Sequence, residues 1–148
     1  MDDYQKIMER MAALQYKINS NDKKPKNFGT SELLHQSEIH FIDAIGIDRE
    51  VNASQLSNKL HISNGAITQV ADKLLKKKLI EKYKIETNKK EVFFRLTEQG
   101  KVAYESHKEF HQDLCKNIIA YLNDLNPDQI EGILGFIAVS DESLPDLS

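Results

Sequence analysis

At 148 residues, 40% of them hydrophobic, the chain is long enough for one domain with an ordinary core. It has no run of about 18 apolar residues that could cross a membrane, its start Met1-Asp2-Asp3-Tyr4 lacks the features of a signal peptide, and its lone Cys115 excludes an intrachain disulfide, so a cytoplasmic protein with no membrane partner is expected. A net charge of −3 excludes a uniformly cationic nucleic-acid binder but allows a basic module in an acidic frame.

The first predicted element is a helix over residues 4–18, where Ile7, Met11, Leu14 and Ile18 form one apolar stripe on a polar rod. Residues 19–27 are polar and contain Pro25, which ends it. A second helix is expected within Thr30 to Gly46, with Ile39, Ile42 and Ile45 on its buried side and Gly46 as its left-handed stop. Residues 47–51 are a short connection able to supply a minimal strand.

Residues 52–78 read as a short helix, a tight turn and a second helix. Ser54, Leu56 and Leu60 are placed on successive turns of the first helix, and Leu56 with Leu60 gives it an apolar stripe. His61-Ile62-Ser63 is the turn, and Ser63 is a good N-cap for the helix after it. That helix buries Ile67, Val70, Leu74 and Leu75, and shows Asn64, Gly65, Thr68, Gln69, Asp72, Lys73 and Lys76 on its other face. Two helices so joined match a helix-turn-helix, whose second helix enters the DNA major groove.

Residues 79–96 hold two β-rich runs around the polar stretch 86–90. Val92, Phe94 and Leu96 alternate with Phe93 and Arg95, as in a half-buried strand, so a hairpin is expected. Lys89 and Lys90 are placed at its tip, with Lys82 and Lys84 on the preceding strand, where cations suit phosphates and a narrow minor groove. From Lys59 to Arg95 there are ten Lys or Arg against Asp72, Glu81, Glu86 and Glu91, a segment charge of +6, which leaves −9 elsewhere.

Thr97 is a plausible cap for a long helix reaching Leu122, striped by Val102, His107, Phe110, Leu114, Ile118 and Leu122. Asn126 and Pro127 open a last helix, whose apolar face is Ile130, Ile133, Leu134 and Ile137. The acidic tail from Asp141 is expected to fray. The fold class is thus mainly α with a small β-hairpin (α+β). It is a winged helix-turn-helix over about 37–97, with dimerisation helices over about 1–30 and 98–148. Long terminal helices carrying more apolar surface than a winged helix can cover point to a homodimer.

The order of elements resembles the MarR family of bacterial transcriptional regulators. Three stretches carry the resemblance: Ser54-Gln55-Leu56-Ser57, the turn from His61 to Thr68, and Arg95-Leu96-Thr97-Glu98-Gln99-Gly100 after the wing. The family's wing pattern of Asp, any residue, Arg stands here as Asn88 and Lys90, so the bracing pair and its planar guanidinium are replaced. The resemblance implies a homodimeric regulator, a repressor foremost, that binds palindromic double-stranded DNA and is controlled by a small effector. Its DNA-binding residues would be Ser54, Ser63, Asn64, Gly65, Thr68, Gln69, Lys73, Lys84, Lys89 and Lys90, and it would require no cofactor.

His107 and His111 lie four apart on one helix and so share a face, a workable pair of zinc ligands. His40 on the second helix joins them through the resemblance, because the family's zinc-sensing branch has histidines at the corresponding positions. A fourth ligand is open between Asp22 and Glu32. A branch regulating fatty-acid synthesis also resembles this chain over Glu38–Gly46, which makes an acyl or other organic effector the competing interpretation. The histidines would otherwise be satisfied within a dimer interface. Cys115, beside Leu114, reads as buried filler rather than a redox sensor. A metal-dependent enzyme using these histidines with Asp43 is unattractive, because no nucleophile elbow, phosphate loop or carboxylate pair accompanies them. A winged-helix protein-interaction module is the remaining rival.

Overall fold

In the computed structural model, residues 2–47 and 49–145 are described. The chain divides into two compact units, 1–108 and 109–148, with the boundary inside one continuous helix.

The first unit opens with α1 (Asp3–Asp22), which runs four residues past the predicted end, since no proline interrupts it before Pro25. None of its residues is buried, and Ile7, Leu14 and Ile18 are each about half exposed. The helix expected from Thr30 is shorter than predicted: α2 covers only Gln36–Ile45. Before it, β1 (Lys26–Asn27) pairs antiparallel with β2 (Leu33–Leu34). The reason is local. The Asn27 side chain donates to the Thr30 carbonyl at 2.9 Å and accepts from the Gly29 amide at 2.7 Å, while Gly29 takes a positive φ of 77°. Such side-chain bonds offer the backbone an alternative to the helix ladder. Phe28 and Leu34 are thereby buried in the core.

Gly46 ends α2 with φ 74°, as expected. Then come β3 (Val51–Asn52), α3 (Ala53–Leu60), α4 (Asn64–Lys76), β4 (Ile80–Ile85) and β5 (Asn88–Leu96). The sheet order is β3-β5-β4, all antiparallel, so the minimal strand does pair beside the hairpin, Val51 opposite Phe94. The hairpin turn is Glu86–Thr87, so Lys89 and Lys90 belong to β5 and the predicted tip is displaced. Five polar residues in a row could all turn, and the Ile85–Asn88 pairing decides which do.

The core gathers Ile39, Phe41, Ile42 and Ile45 from α2 with Leu56, Ile67, Ala71 and Leu74 from the two motif helices. Phe94 and Leu96 close it from the sheet and Ala103 from α5 (Glu98–Asn123). Thr97 caps α5 through its hydroxyl, which accepts from the Gly100 amide at 3.1 Å. Gly100 is required by space, because a Cβ there would run into the Leu79 carbonyl. The second unit holds the rest of α5 and α6 (Pro127–Glu142), capped by Asn126, whose side chain accepts from Gln129 N at 3.0 Å. The tail predicted to fray from Asp141 is helical to Glu142, and 146–148 lie outside the described residues.

Candidate nucleic-acid interface

α3 and α4 are set by their ends. Asn52 caps α3: its Oδ1 accepts from Gln55 N at 2.8 Å, and Gln55 Oε1 accepts from Asn52 N at 2.9 Å. This reciprocal box satisfies two donors that the helix start would otherwise leave unpaired. His61 ends α3 in the left-handed region, φ 53°, which turns the chain within three residues. Ser63 then caps α4, accepting from Ala66 N at 3.2 Å. Leu56, Ile67 and Leu74 are buried beneath, and this fixes which side of α4 faces outward.

That outward side is the one expected. Asn64, Gly65, Thr68, Gln69, Asp72, Lys73 and Lys76 are all exposed, and so is Ser54 on the first turn of α3. Thr68 Oγ1 donates to the Asn64 carbonyl at 3.1 Å, so its hydroxyl is left to accept from a partner. The glycine at 65 is not demanded by packing: an added Cβ would meet only Ser63 Oγ, at 3.9 Å.

The far end of α4 is anchored deep in the unit. Lys77 Nζ forms an ion pair with Glu38 Oε1 at 2.8 Å and donates to the Leu33 carbonyl at 2.8 Å. The other Glu38 oxygen accepts from His35 N at 2.8 Å. Glu38 is 1% exposed, so this charge is held only because it is paired and hydrogen-bonded. Lys77 is therefore withdrawn from the cationic face.

On the wing, Lys84, Lys89 and Lys90 are exposed. Asn88 Oδ1 accepts from Lys90 N at 3.3 Å, and exposed Glu86 sits at the turn. Arg95 Nε pairs with Glu81 Oε2 at 2.7 Å across the two strands, and this contact raises the Arg95 pKa further. The Arg95 guanidinium also lies 4.9 Å from the centre of the Tyr83 ring, which stacks on Phe93. Burial, then the Glu50 carboxylate, push Tyr83 up to about 12. A shallow cavity lined by Arg49, Glu50, Arg95, Leu96 and Lys101 opens near this cluster, but Glu81 and Glu98 already balance two of its cations.

The histidines also converge. The rings of His40 on α2 and His107 on α5 lie 5.8 Å apart, and Phe28 meets His107 edge-on at 5.5 Å. His111 follows one turn after His107 on the same helix, and ligand nitrogens of the three lie within 4.8 Å of one another. His107 is buried, and the other two are exposed. Asp43 Oδ1 stands 3.8 Å from His107 Nδ1. Neither Asp22 nor Glu32 joins the cluster among the described residues. Cys115, expected as buried filler, is partly exposed, and neighbouring Leu114 and Ile118 are left 56% exposed by the described residues.

Two features escaped sequence reasoning. The Asn52–Gln55 box was legible as a cap residue followed three positions on by glutamine. The Glu38–Lys77 pair had no local signal.

Residues 34–92 match the model of the MarR family. The chain is 28% identical over 103 residues to the HTH-type transcriptional regulator PchR of Bacillus subtilis, covering 70% of this chain and 61% of that protein. It therefore spans about three fifths of that relative's length. Among solved structures, Streptococcus pneumoniae FabT in complex with DNA superposes with a TM-score of 0.73 at 26% identity, covering 99% of this chain and 100% of that one. Lactococcus lactis ZitR, a zinc-responsive MarR family member, superposes at 0.77 with 16% identity over 94% and 97% of the two chains, a likeness of fold alone.

Proposed function

We propose that the chain is a MarR-type regulator, as the match of residues 34–92 to that family supports, and that it regulates transcription by binding double-stranded DNA as a homodimer. α4 of each protomer reads one half of a palindromic operator in the major groove, and each wing lies along the adjacent minor groove. The observation that carries this is the outward face of α4, on which Asn64, Gly65, Thr68, Gln69 and Lys73 are all exposed while the opposite side is locked into the core. Support comes from FabT, solved with DNA and alike along nearly the whole chain. Thr68 and Gln69 supply base contacts. Ser54, Ser63, Lys73, Lys84, Lys89 and Lys90 supply backbone contacts, which position without specifying.

The homodimer is argued from apolar faces left bare within each unit. Ile7, Leu14 and Ile18 on α1 are 48–58% exposed, and Leu114, Ile118, Leu134 and Ile137 in the second unit are 56–61% exposed. Monomers rarely leave such surface in water. Repression follows when the bound dimer occludes a promoter, and an effector releases it by favouring a spacing of reading helices that DNA does not accept.

The effector interpretation favoured by a specific observation is a metal ion held by His40, His107 and His111. Three imidazoles with nitrogens inside 4.8 Å suit zinc, whose bonds of about 2.0–2.1 Å need only a small further closure. Asp43, 3.8 Å from His107 Nδ1, is placed to orient that ring. A bound ion would supply a cross-link between α2 and α5. An organic or acyl effector remains the rival, with no feature of the described residues favouring it.

The test is fluorescence anisotropy on a duplex selected from a random pool with the wild-type chain. Gln69→Ala and Thr68→Ala should lose preference for the selected duplex, while Lys90→Ala should weaken selected and random duplexes alike. Equal weakening on both duplexes by all three would overturn the base-reading role. A monomer in sedimentation, bound to DNA or free, would overturn the dimer. Zinc titration of the wild type and of His107→Ala separates the metal interpretation from its rival.

A further inference from the structure

The helix-turn-helix and the wing meet at one side chain. Asn52 uses Oδ1 and its backbone amide in the cap of α3, and its remaining group, Nδ2, donates to Glu91 Oε2 on β5 at 3.1 Å. The two residues are 39 apart in sequence. The ladder joining this region to the wing is short, since β3 offers only Val51 opposite Phe94 and Asn52 opposite Phe93. The side-chain bond therefore fastens β5 beyond the last rung, close to the residues expected to meet DNA. Glu91 directly follows Lys89 and Lys90. Left unengaged, its carboxylate would oppose the same phosphates that those lysines attract.

We propose that Asn52 and Glu91 form a latch that positions the wing against the reading helix. It sets where Lys89 and Lys90 fall on the DNA backbone and keeps the Glu91 carboxylate turned to the protein. This rests on the DNA-binding role of the wing. Asn52 and Glu91 are positioning residues, acting through the lysines and touching no base.

The capping and latching roles of Asn52 can be separated. Asn52→Asp keeps the acceptor for Gln55 N, and Asp caps as well as Asn. It removes the donor and sets a second carboxylate against Glu91. Adding Glu91→Gln restores a donor–acceptor pair with its polarity reversed. Binding is measured on the selected duplex at several salt concentrations, and melting is followed by circular dichroism. Asn52→Asp should weaken binding about tenfold. Lys90→Ala should cost much less in the Asn52→Asp background than in the wild type, and the salt slope should fall with it. Adding Glu91→Gln should recover more affinity than Glu91→Gln gains alone, which a merely structural or charge effect would not produce. Glu91→Ala, which leaves the cap intact, should show the same loss of Lys90 dependence.

If Lys90→Ala leaves the wild-type chain's affinity unchanged, the wing is no DNA contact and the latch falls with it. If Lys90→Ala weakens binding but Asn52→Asp does not, or the two add in full, the latch alone is overturned. Failure of Glu91→Gln to rescue overturns it equally.

Discussion

Replacing Gly65 by alanine separates what the fold needs from what DNA needs. Gly65 is the second residue of α4 and is exposed. A Cβ there would meet nothing nearer than Ser63 Oγ at 3.9 Å, an ordinary contact. The fold therefore gives up nothing, and alanine gains helix propensity over glycine. That gain is at most about 1 kcal/mol in a helix interior, and about 0.5 kcal/mol is expected so near the end. For a chain this long it raises the melting temperature by about 1–2 °C. On DNA the sign reverses. In the proposed complex the new methyl stands among Asn64, Thr68 and Gln69, where the helix start approaches the duplex. A lost close approach costs tenfold or more in affinity, about 1.4 kcal/mol. Circular dichroism melts and anisotropy on the selected duplex measure the two effects on one preparation. A stabilised variant that binds as tightly as the wild type would refute close approach at the start of α4. A destabilised one would refute the packing argument itself.

Gly100→Ala should do the opposite, since its Cβ collides with the Leu79 carbonyl. Overpacking against backbone costs about 1–3 kcal/mol or more, read as a lowered urea midpoint at unchanged slope, and a midpoint within error of the wild type would show that α5 can shift freely. Lys77→Met strands the Glu38 carboxylate, which is 1% exposed. It should cost about 3–5 kcal/mol, most of it recovered by adding Glu38→Gln, and a full additive loss in the double variant would contradict the pairing. Tyr83 ionises at about 12 in the fold against 10.0 ordinarily. Its neutral form is favoured by folding, so stability is untouched below about pH 10 and falls as pH rises from there toward 12. Among the chain's five tyrosines, Tyr83→Phe should abolish the latest phenolate step in an absorbance titration, and persistence of that step would assign it elsewhere.

What the sequence disclosed was whatever local chemistry decides. Ser63 and Asn126 announce helix starts through their own oxygens, and both cap as expected. Leu56 and the alternation through Val92, Phe94 and Leu96 announce a buried face and a strand, and both appear. The exposed face of α4 followed from the same periodicity. Where local signals competed, the reading slipped. Asn27 diverted the chain into a turn and shortened α2, and the polar run 86–90 concealed which two residues bend. Contacts across long separations were invisible. Glu38–Lys77 and Asn52–Glu91 each join residues whose types alone name no partner. The meeting of His40 with His107 likewise cannot be read from spacing, whereas the four-residue step from His107 to His111 can.

The β1–β2 pair bears on how this protein can be trimmed. A lobe excised from residue 37 would lose Phe28 and Leu34, which are only 5% and 1% exposed in the intact chain. Each absent side chain removes about 3 kcal/mol of packing, and together they rival the whole stability of a small domain. The excised piece would also lose the ring that lies edge-on to His107 and the Leu33 carbonyl that holds Lys77. A self-standing reading head must therefore begin upstream of Lys26, and fusion partners attached inside the 26–34 loop would pry open the wall behind the histidines.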